Sequence, residues 1–273
     1  MDINKLMEKH QDEFDNARVK EISDDIAMYR TLVSNIYMVG KPSNQLWYLI
    51  DTGVAQYHER ILVAAQRRFP NIPPKAIILT NGHFDHAGSA KALAKYWDVP
   101  IYAHPQEIPY LNGSLAYPPA DPTVGGGLIS LMSPLFPKKP IQLSKWLKPI
   151  TEKMEQGLID DWRIIHTPGY TPGHISLFNK KNRTLIAGDA VATENPESAL
   201  AMVFPISKVY GPPAFFTDNW DIAKQTIAHI IKLRPKLLLA GHGLPMEGDL
   251  LDKGLKHLFD NFEQIAIPSN KNK

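Results

Sequence analysis

The chain has 273 residues, enough for one large α/β domain or two small ones. Apolar residues make up 44% and charged residues 21%, which excludes a disordered chain, and 30 basic against 28 acidic residues leave no broad basic face for nucleic acid or an anionic membrane. There is no cysteine, so disulfides, thiolate metal sites and cysteine nucleophiles are excluded and any metal must be held by nitrogen and oxygen.

In chain order, residues 1–25 are charged and read as a loose or helical N-terminal arm ahead of a single domain over 26–273. Met1–Lys5 opens no signal-like segment and no apolar run reaches membrane-span length, so the expected compartment is the cytoplasm. Two strands are expected over Asn35–Gly40 and Gln45–Asp51, with a turn at Lys41–Asn44. Val54–Phe69 carries Ile61, Leu62, Ala65 and Phe69 at helical spacing. Ala76–Thr80 is a short apolar strand of the buried kind, followed by a loop to Gly88, a helix to Trp97 and a strand at Val99–Ala103. This strand–loop–helix–strand order marks an α/β fold.

Residues 105–140 hold eight of the 23 prolines and the run Gly125–Gly127. A stretch this long without periodicity reads as an insertion, a loop or lid that shapes a site. Strands are then expected over Trp162–His166, Ile175–Phe178 and Thr184–Gly188, a helix over Asn219–Leu233, a buried strand at Leu237–Ala240 and a final helix over Leu250–Ala266. Two halves of similar content suggest two sheets with helices outside.

Four places share one pattern: an apolar strand ends and a ligand-type side chain follows. After Ile77–Thr80 come His83, Asp85 and His86; after Trp162–His166 comes Thr167–His174; after Leu185–Gly188 comes Asp189; after Leu237–Gly241 comes His242. Taken singly, an Asp–His pair caps a helix, an aspartate closes a turn and a histidine is a hydrogen-bonded core residue. Together, at strand ends that converge on one edge of an α/β fold, carboxylates and imidazoles are a donor set for zinc, iron or manganese.

The stretch Thr80-Asn81-Gly82-His83-Phe84-Asp85-His86-Ala87-Gly88 resembles the Thr-His-x-His-x-Asp-His-x-Gly signature of the metallo-β-lactamase-fold hydrolases. Thr167-Pro168-Gly169, Gly188-Asp189 and Gly241-His242-Gly243 match that family's later elements, and the resemblance spans roughly residues 30–266. Tyr117–Pro122 and Gly125–Gly127 resemble a little-characterised bacterial metallo-hydrolase group within it. The resemblance implies an αββα four-layer sandwich with two metal sites. The second site is complete: Asp85, His86 and His242, with Asp189 bridging. The first keeps only His83, because Asn81 and Tyr170 stand where the family has histidines. His174 lies four residues after Tyr170, at a position where relatives also carry a histidine.

A tyrosine ligates only as phenolate, and its ordinary pKa of about 10 makes that costly. The expectation is therefore one zinc ion rather than two, with iron and manganese as other fits. The expected function is hydrolysis of a small ester, lactone or related substrate by metal-bound water, with His83 or Asp85 as general base. Asn81, Tyr170 and His174 would then lie on the substrate side or behind the ligands. The alternative is a metal-binding protein whose first site has decayed and which catalyses little or nothing. Ala192 stands where quorum-quenching lactonases carry a tyrosine, which counts against that activity. The apolar 105–140 segment and Pro205–Phe216 suggest a small, partly hydrophobic substrate. Neither nucleic acid nor membrane is an expected partner, and nothing in the sequence indicates an oligomer.

Overall fold

In the computed structural model, residues 2–9, 19–124, 141–156, 161–196, 198 and 208–268 are described below. The Gly125–Gly127 run, and residues 205–207 of the Pro205–Phe216 stretch, lie outside them. Contacts divide the chain into two units, each built on one sheet: residues 1–103, 108–115 and 140–150 in the first, and 104–107, 116–139 and 151–273 in the second.

The first unit carries a seven-stranded mixed sheet in sequential order: β1 (Val19–Ser23), β2 (Ile26–Arg30), β3 (Asn35–Val39), β4 (Tyr48–Ile50), β5 (Ile77–Ile78), β6 (Ile101–Ala103) and β7 (Leu147–Pro149). β1 to β4 run antiparallel as hairpins, whereas β4 to β7 pair in parallel. The change has a simple cause. Parallel neighbours need a crossover, and helices α2 (His58–Arg68) and α4 (Ala90–Trp97) supply two of them. The one-turn helix α3 (Phe84–Ala87) lies between β5 and α4, and α1 (Ile3–Lys9) lies at the start.

The apolar face of α2 (Ile61, Leu62, Ala64, Ala65) and Leu93 and Ala94 of α4 are buried in the same core as Leu49, Ile77 and Ile101 of the sheet. Trp47 stacks on Phe69 at 4.4 Å and meets Trp97 edge-on at 5.8 Å. Two boundaries are set by backbone chemistry. Asp98 takes a left-handed conformation and ends α4, and Val54–Tyr57, expected as helix, stays irregular ahead of His58.

The N-terminal expectation needs correction. Residues 1–25 are not only an arm, because Val19–Ser23 pairs with β2 as the edge strand of the sheet. Its exposed polar residues, Lys20, Glu21 and Ser23, hid it. Arg68 on α2 fixes it by binding the Glu21 carboxylate and donating to Asp24 O at 3.1 Å.

The second unit carries a five-stranded mixed sheet in the order β12-β11-β10-β9-β8, from β8 (Trp162–His166), β9 (Ile175–Asn179), β10 (Thr184–Gly188), β11 (Leu237–Ala240) and β12 (Met246–Glu247). Only β10 and β11 pair in parallel. The crossover between them contains α7 (Trp220–Leu233), begun by Asn219, whose side chain accepts from Ile222 N at 3.0 Å. The expected final helix is two: α8 (Gly248–Asp260) and α9 (Phe262–Ile265), broken at Asn261. Among the described residues, the shorter helices α5 (Ile108–Leu111), in the first unit, and α6 (Glu152–Gln156), in the second, complete the set. Ile227 and Ile230 of α7 and Leu251, Leu255 and Leu258 of α8 are buried with Leu185 and Leu238.

Candidate metal centre

In the first unit, the loop after β5 is held by a buried carboxylate that the sequence reading overlooked. Asp51 follows β4 with φ at +61° and is 2% exposed. Its Oδ1 accepts from Thr80 N at 2.8 Å, and its Oδ2 accepts from Thr80 Oγ1 at 2.7 Å and from His86 Nδ1 at 2.9 Å. A carboxylate only accepts, so the His86 proton sits on Nδ1 and Nε2 carries the lone pair. Main-chain contacts fix the same turn. Thr52 donates through N and Oγ1 to His86 O, each at 2.7 Å, and Ser34 Oγ donates to Asp85 O at 2.5 Å.

His86 Nε2 then lies 3.6 Å from Asp85 Oδ2. Two donors on one tetrahedral ion, each about 2.0–2.2 Å from it, stand roughly 3.3–3.6 Å apart. A charge-assisted hydrogen bond would be shorter, at about 2.7–2.9 Å. His83, Asp85 and His86 are all buried.

Asn81, expected on the substrate side or behind the ligands, turns inward. It is fully buried, and its amide oxygen accepts from His83 N at 2.9 Å while its amide nitrogen donates to Thr80 Oγ1 at 3.3 Å. The side chain folds back on its own loop and sets the entry to α3.

In the second unit, Asp189 follows β10 and is fully buried, and its Oδ1 lies 3.4 Å from His242 Nε2, the same ligand-like spacing. Gly243 makes the His242 turn possible. Its φ is +104°, and a Cβ there would come 2.4 Å from Thr193 Oγ1 and 2.6 Å from Glu194 N. Thr193 braces the turn, donating from N to His242 O at 2.9 Å and from Oγ1 to Leu244 O at 2.7 Å.

His174 is committed to structure. Asp189 N donates to its Nε2 at 2.9 Å, so the ring proton is on Nδ1, which donates to Thr167 at 2.9 Å (Oγ1) and 3.1 Å (O). Thr167 Oγ1 continues to Ser176 Oγ at 2.9 Å, and Ser176 Oγ donates to Ala187 O at 3.0 Å. Both ring nitrogens are therefore used within the fold. His174 aims the start of the Asp189 turn.

Tyr170 is 2% exposed and meets the His174 ring edge-on at 5.9 Å. Its loop is tied down on both sides. Gly169 has φ of +122° with Ala223 N within 2.4 Å of a would-be Cβ, and Asp218 N donates to Tyr170 O at 3.1 Å. Glu107, also missed from sequence, is fully buried and accepts from Thr171 Oγ1 at 2.6 Å, Gly173 N at 2.9 Å and the Tyr117 hydroxyl. It ties the Pro-rich segment to the loop that carries Tyr170.

The same loop is bordered by a stacked pair, His104 and His166, with ring centroids 4.1 Å apart. Burial, and then the His166 ring, push the His104 pKa down to about 4. His166 Nε2 donates to Pro172 O at 2.9 Å.

The sequence profile described as the metallo-beta-lactamase superfamily matches residues 29–242. The chain is a member of the metallo-β-lactamase superfamily. Among members, it is 40% identical over 235 residues to the probable metallo-hydrolase YflN of Bacillus subtilis, covering 85% of this chain and 89% of that one. Among solved structures, it is similar to the B3 metallo-β-lactamase BLEG-1, with a TM-score of 0.57, 21% identity, and coverage of 83% of this chain and 91% of that one. It is also similar to TTHA1623 in a di-iron-bound form, with a TM-score of 0.54, 23% identity, and coverage of 83% and 96%. These likenesses establish the metallo-β-lactamase fold expected from the signature, with its two mixed sheets and flanking helices. They establish metallo-hydrolase kinship at the level of the superfamily. Among the described residues, no helix is long and apolar enough to cross a membrane.

Proposed function

We propose that this superfamily member is a metal-dependent hydrolase of a small ester, lactone or related substrate. Asp85, His86, Asp189 and His242 would hold the ion, with His83 beside them. The observation that carries the reading is the repeated donor spacing, 3.6 Å in the Asp85–His86 pair and 3.4 Å in the Asp189–His242 pair. The donor chemistry fits as well: each of Asp85, His86 and His242 is buried and offers one ligand atom, and the Asp51 tie leaves a lone pair on His86 Nε2.

An ion held there would supply Lewis acidity and lower the pKa of coordinated water to about 7. The protein's own part is orientation and proton handling. Asp51 keeps the His86 proton on Nδ1, and His174 holds the Asp189 backbone. A carboxylate committed to an ion is a weak base, so of the two expected bases His83 rather than Asp85 would serve to take up a proton. Tyr170 would face the space that a first-site ligand fills in relatives.

One ion is proposed rather than two. Asn81 turns its amide oxygen to His83 N, and a neutral amide oxygen is in any case a much poorer zinc ligand than the imidazole it replaces. Zinc suits the donor set, and iron and manganese belong in the same test.

The test is hydrolysis of a panel of aryl esters, lactones and phosphodiesters before chelation, after chelation and after return of each metal. Activity lost and restored supports the proposal. Activity indifferent to chelation, or none with any metal, contradicts it. The inward turn of Asn81 also supports a second reading, a metal-binding protein with a decayed first site. Replacing Asn81 and Tyr170 together by histidine separates the two: a large gain in hydrolysis marks decay, and loss of an existing activity marks residues in service.

A further inference from the structure

The second unit contains a cavity of about 220 Å³ between the Pro-rich segment and the stretch that leads into α7. Pro119, Asp121, Phe215, Phe216, Asp218 and Trp220 are among the residues on its walls. The walls are tied together, because Asp121 N donates to Phe215 O at 3.0 Å. Phe215 and Phe216 meet edge to face at 5.0 Å, and Trp220 is backed by Phe262 at 6.3 Å. All three wall aromatics are half-buried, so part of each ring remains open.

The chemistry of the walls is one-sided. Among the described residues, the ionisable side chains on the walls are the two aspartates, with no lysine, arginine or histidine. The chain as a whole carries a net charge of +2, so this local acidity is not a property of the average surface. Asp121 Oδ1 accepts from Thr123 N at 2.9 Å and Oγ1 at 2.6 Å, which fixes that carboxylate in the wall, and Asp218 is exposed at the rim.

Aromatic faces beside a carboxylate attract a cation twice, through the ring quadrupoles and through the charge. A neutral apolar ligand would desolvate the aspartates without compensation, and an anion would be repelled. The volume exceeds the roughly 150 Å³ that holds a benzene and falls below the roughly 300–1,000 Å³ of pockets for drug-sized ligands. We propose that this cavity binds a small organic cation, an ammonium group on an apolar body, between the aromatic faces of Phe215, Phe216 and Trp220 and the Asp218 carboxylate. The site stands apart from the metal reading and survives its failure.

The test is calorimetric titration of the full chain with choline and with 3,3-dimethylbutan-1-ol, which replaces the charged nitrogen by carbon at nearly constant shape. Choline should bind saturably and about tenfold more tightly than its isostere, the order a desolvated cation–π contact supplies. Asp218→Asn should weaken choline binding about two- to fivefold, as expected for a rim charge. Phe215→Leu should weaken it further, with each variant's melting temperature confirming that it is folded. Equal affinity for the two probes would overturn the cation assignment. Binding of neither would overturn the site, and choline binding unchanged in both variants would overturn its location.

Discussion

Asp51 decides which nitrogen of His86 is available, and it does so from a position 35 residues away. Removing its charge should therefore act on metal binding. For Asp51→Asn, affinity for zinc measured by competition with a chelator should fall about 10- to 100-fold, the usual cost of losing a histidine-orienting carboxylate. Unchanged affinity would show that the His86 tautomer is set by something else. Gly243 makes the complementary case on the other side of the proposed ligand set. A side chain there combines a φ of +104° with a 2.4 Å approach to Thr193 Oγ1. Gly243→Ala should lower stability by about 1–3 kcal/mol, read as a fall in melting temperature. A variant that melts with wild type would mean that the turn relaxes freely.

At the scale of elements, the loops matter more than the strands that carry them. Glu107 braces the Thr167–His174 loop with a carboxylate that takes three donors. Glu107→Ala leaves the Thr171 hydroxyl and the Gly173 amide without this acceptor, at a cost of about 1–3 kcal/mol each. Glu107→Gln keeps an acceptor on Oε1. Melting temperatures should fall in the order wild type, Gln, Ala, and equal values for Gln and Ala would contradict the brace.

The neighbouring His104–His166 stack gives that segment a pH dependence. The His104 pKa is depressed from 6.5 to about 4, so below 6.5 the unfolded chain takes up a proton that the folded chain refuses. Stability is complete above 6.5, falls as pH drops toward about 4, and loses nothing more from this group below that. His104 is half exposed, so solvent screening keeps the effect modest. His104→Gln should flatten the decline of melting temperature across this window relative to wild type. Parallel curves would rule His104 out as a contributor.

The limits of reading from sequence follow from the same elements. Buried strands such as Leu237–Ala240 announce themselves by continuous apolar runs, and so do the ligand-type residues that follow them. β1 does not, because an edge strand exposes charged side chains, and β7 includes a proline and spans three residues. Asp51 was in principle legible, since it follows an apolar strand in the manner of Asp189. Glu107 was not, because two of its three partners, Thr171 and Gly173, lie in a loop more than 60 residues downstream and nothing local marks it as buried.

At the scale of the whole molecule, the proposed ligands come from both halves of the sequence, Asp85 and His86 from one sheet's loops and Asp189 and His242 from the other's. An ion bound to the native chain and not to the unfolded one raises the melting temperature by mass action, whichever substrate is used. The most direct test of the central claim is the metal content of the purified, metal-reconstituted protein beside His86→Ala and His242→Ala. The account predicts one equivalent per chain in the wild type and loss of it in both variants, one from each unit. No bound transition metal in the wild type, two equivalents, or full retention in either variant would contradict it.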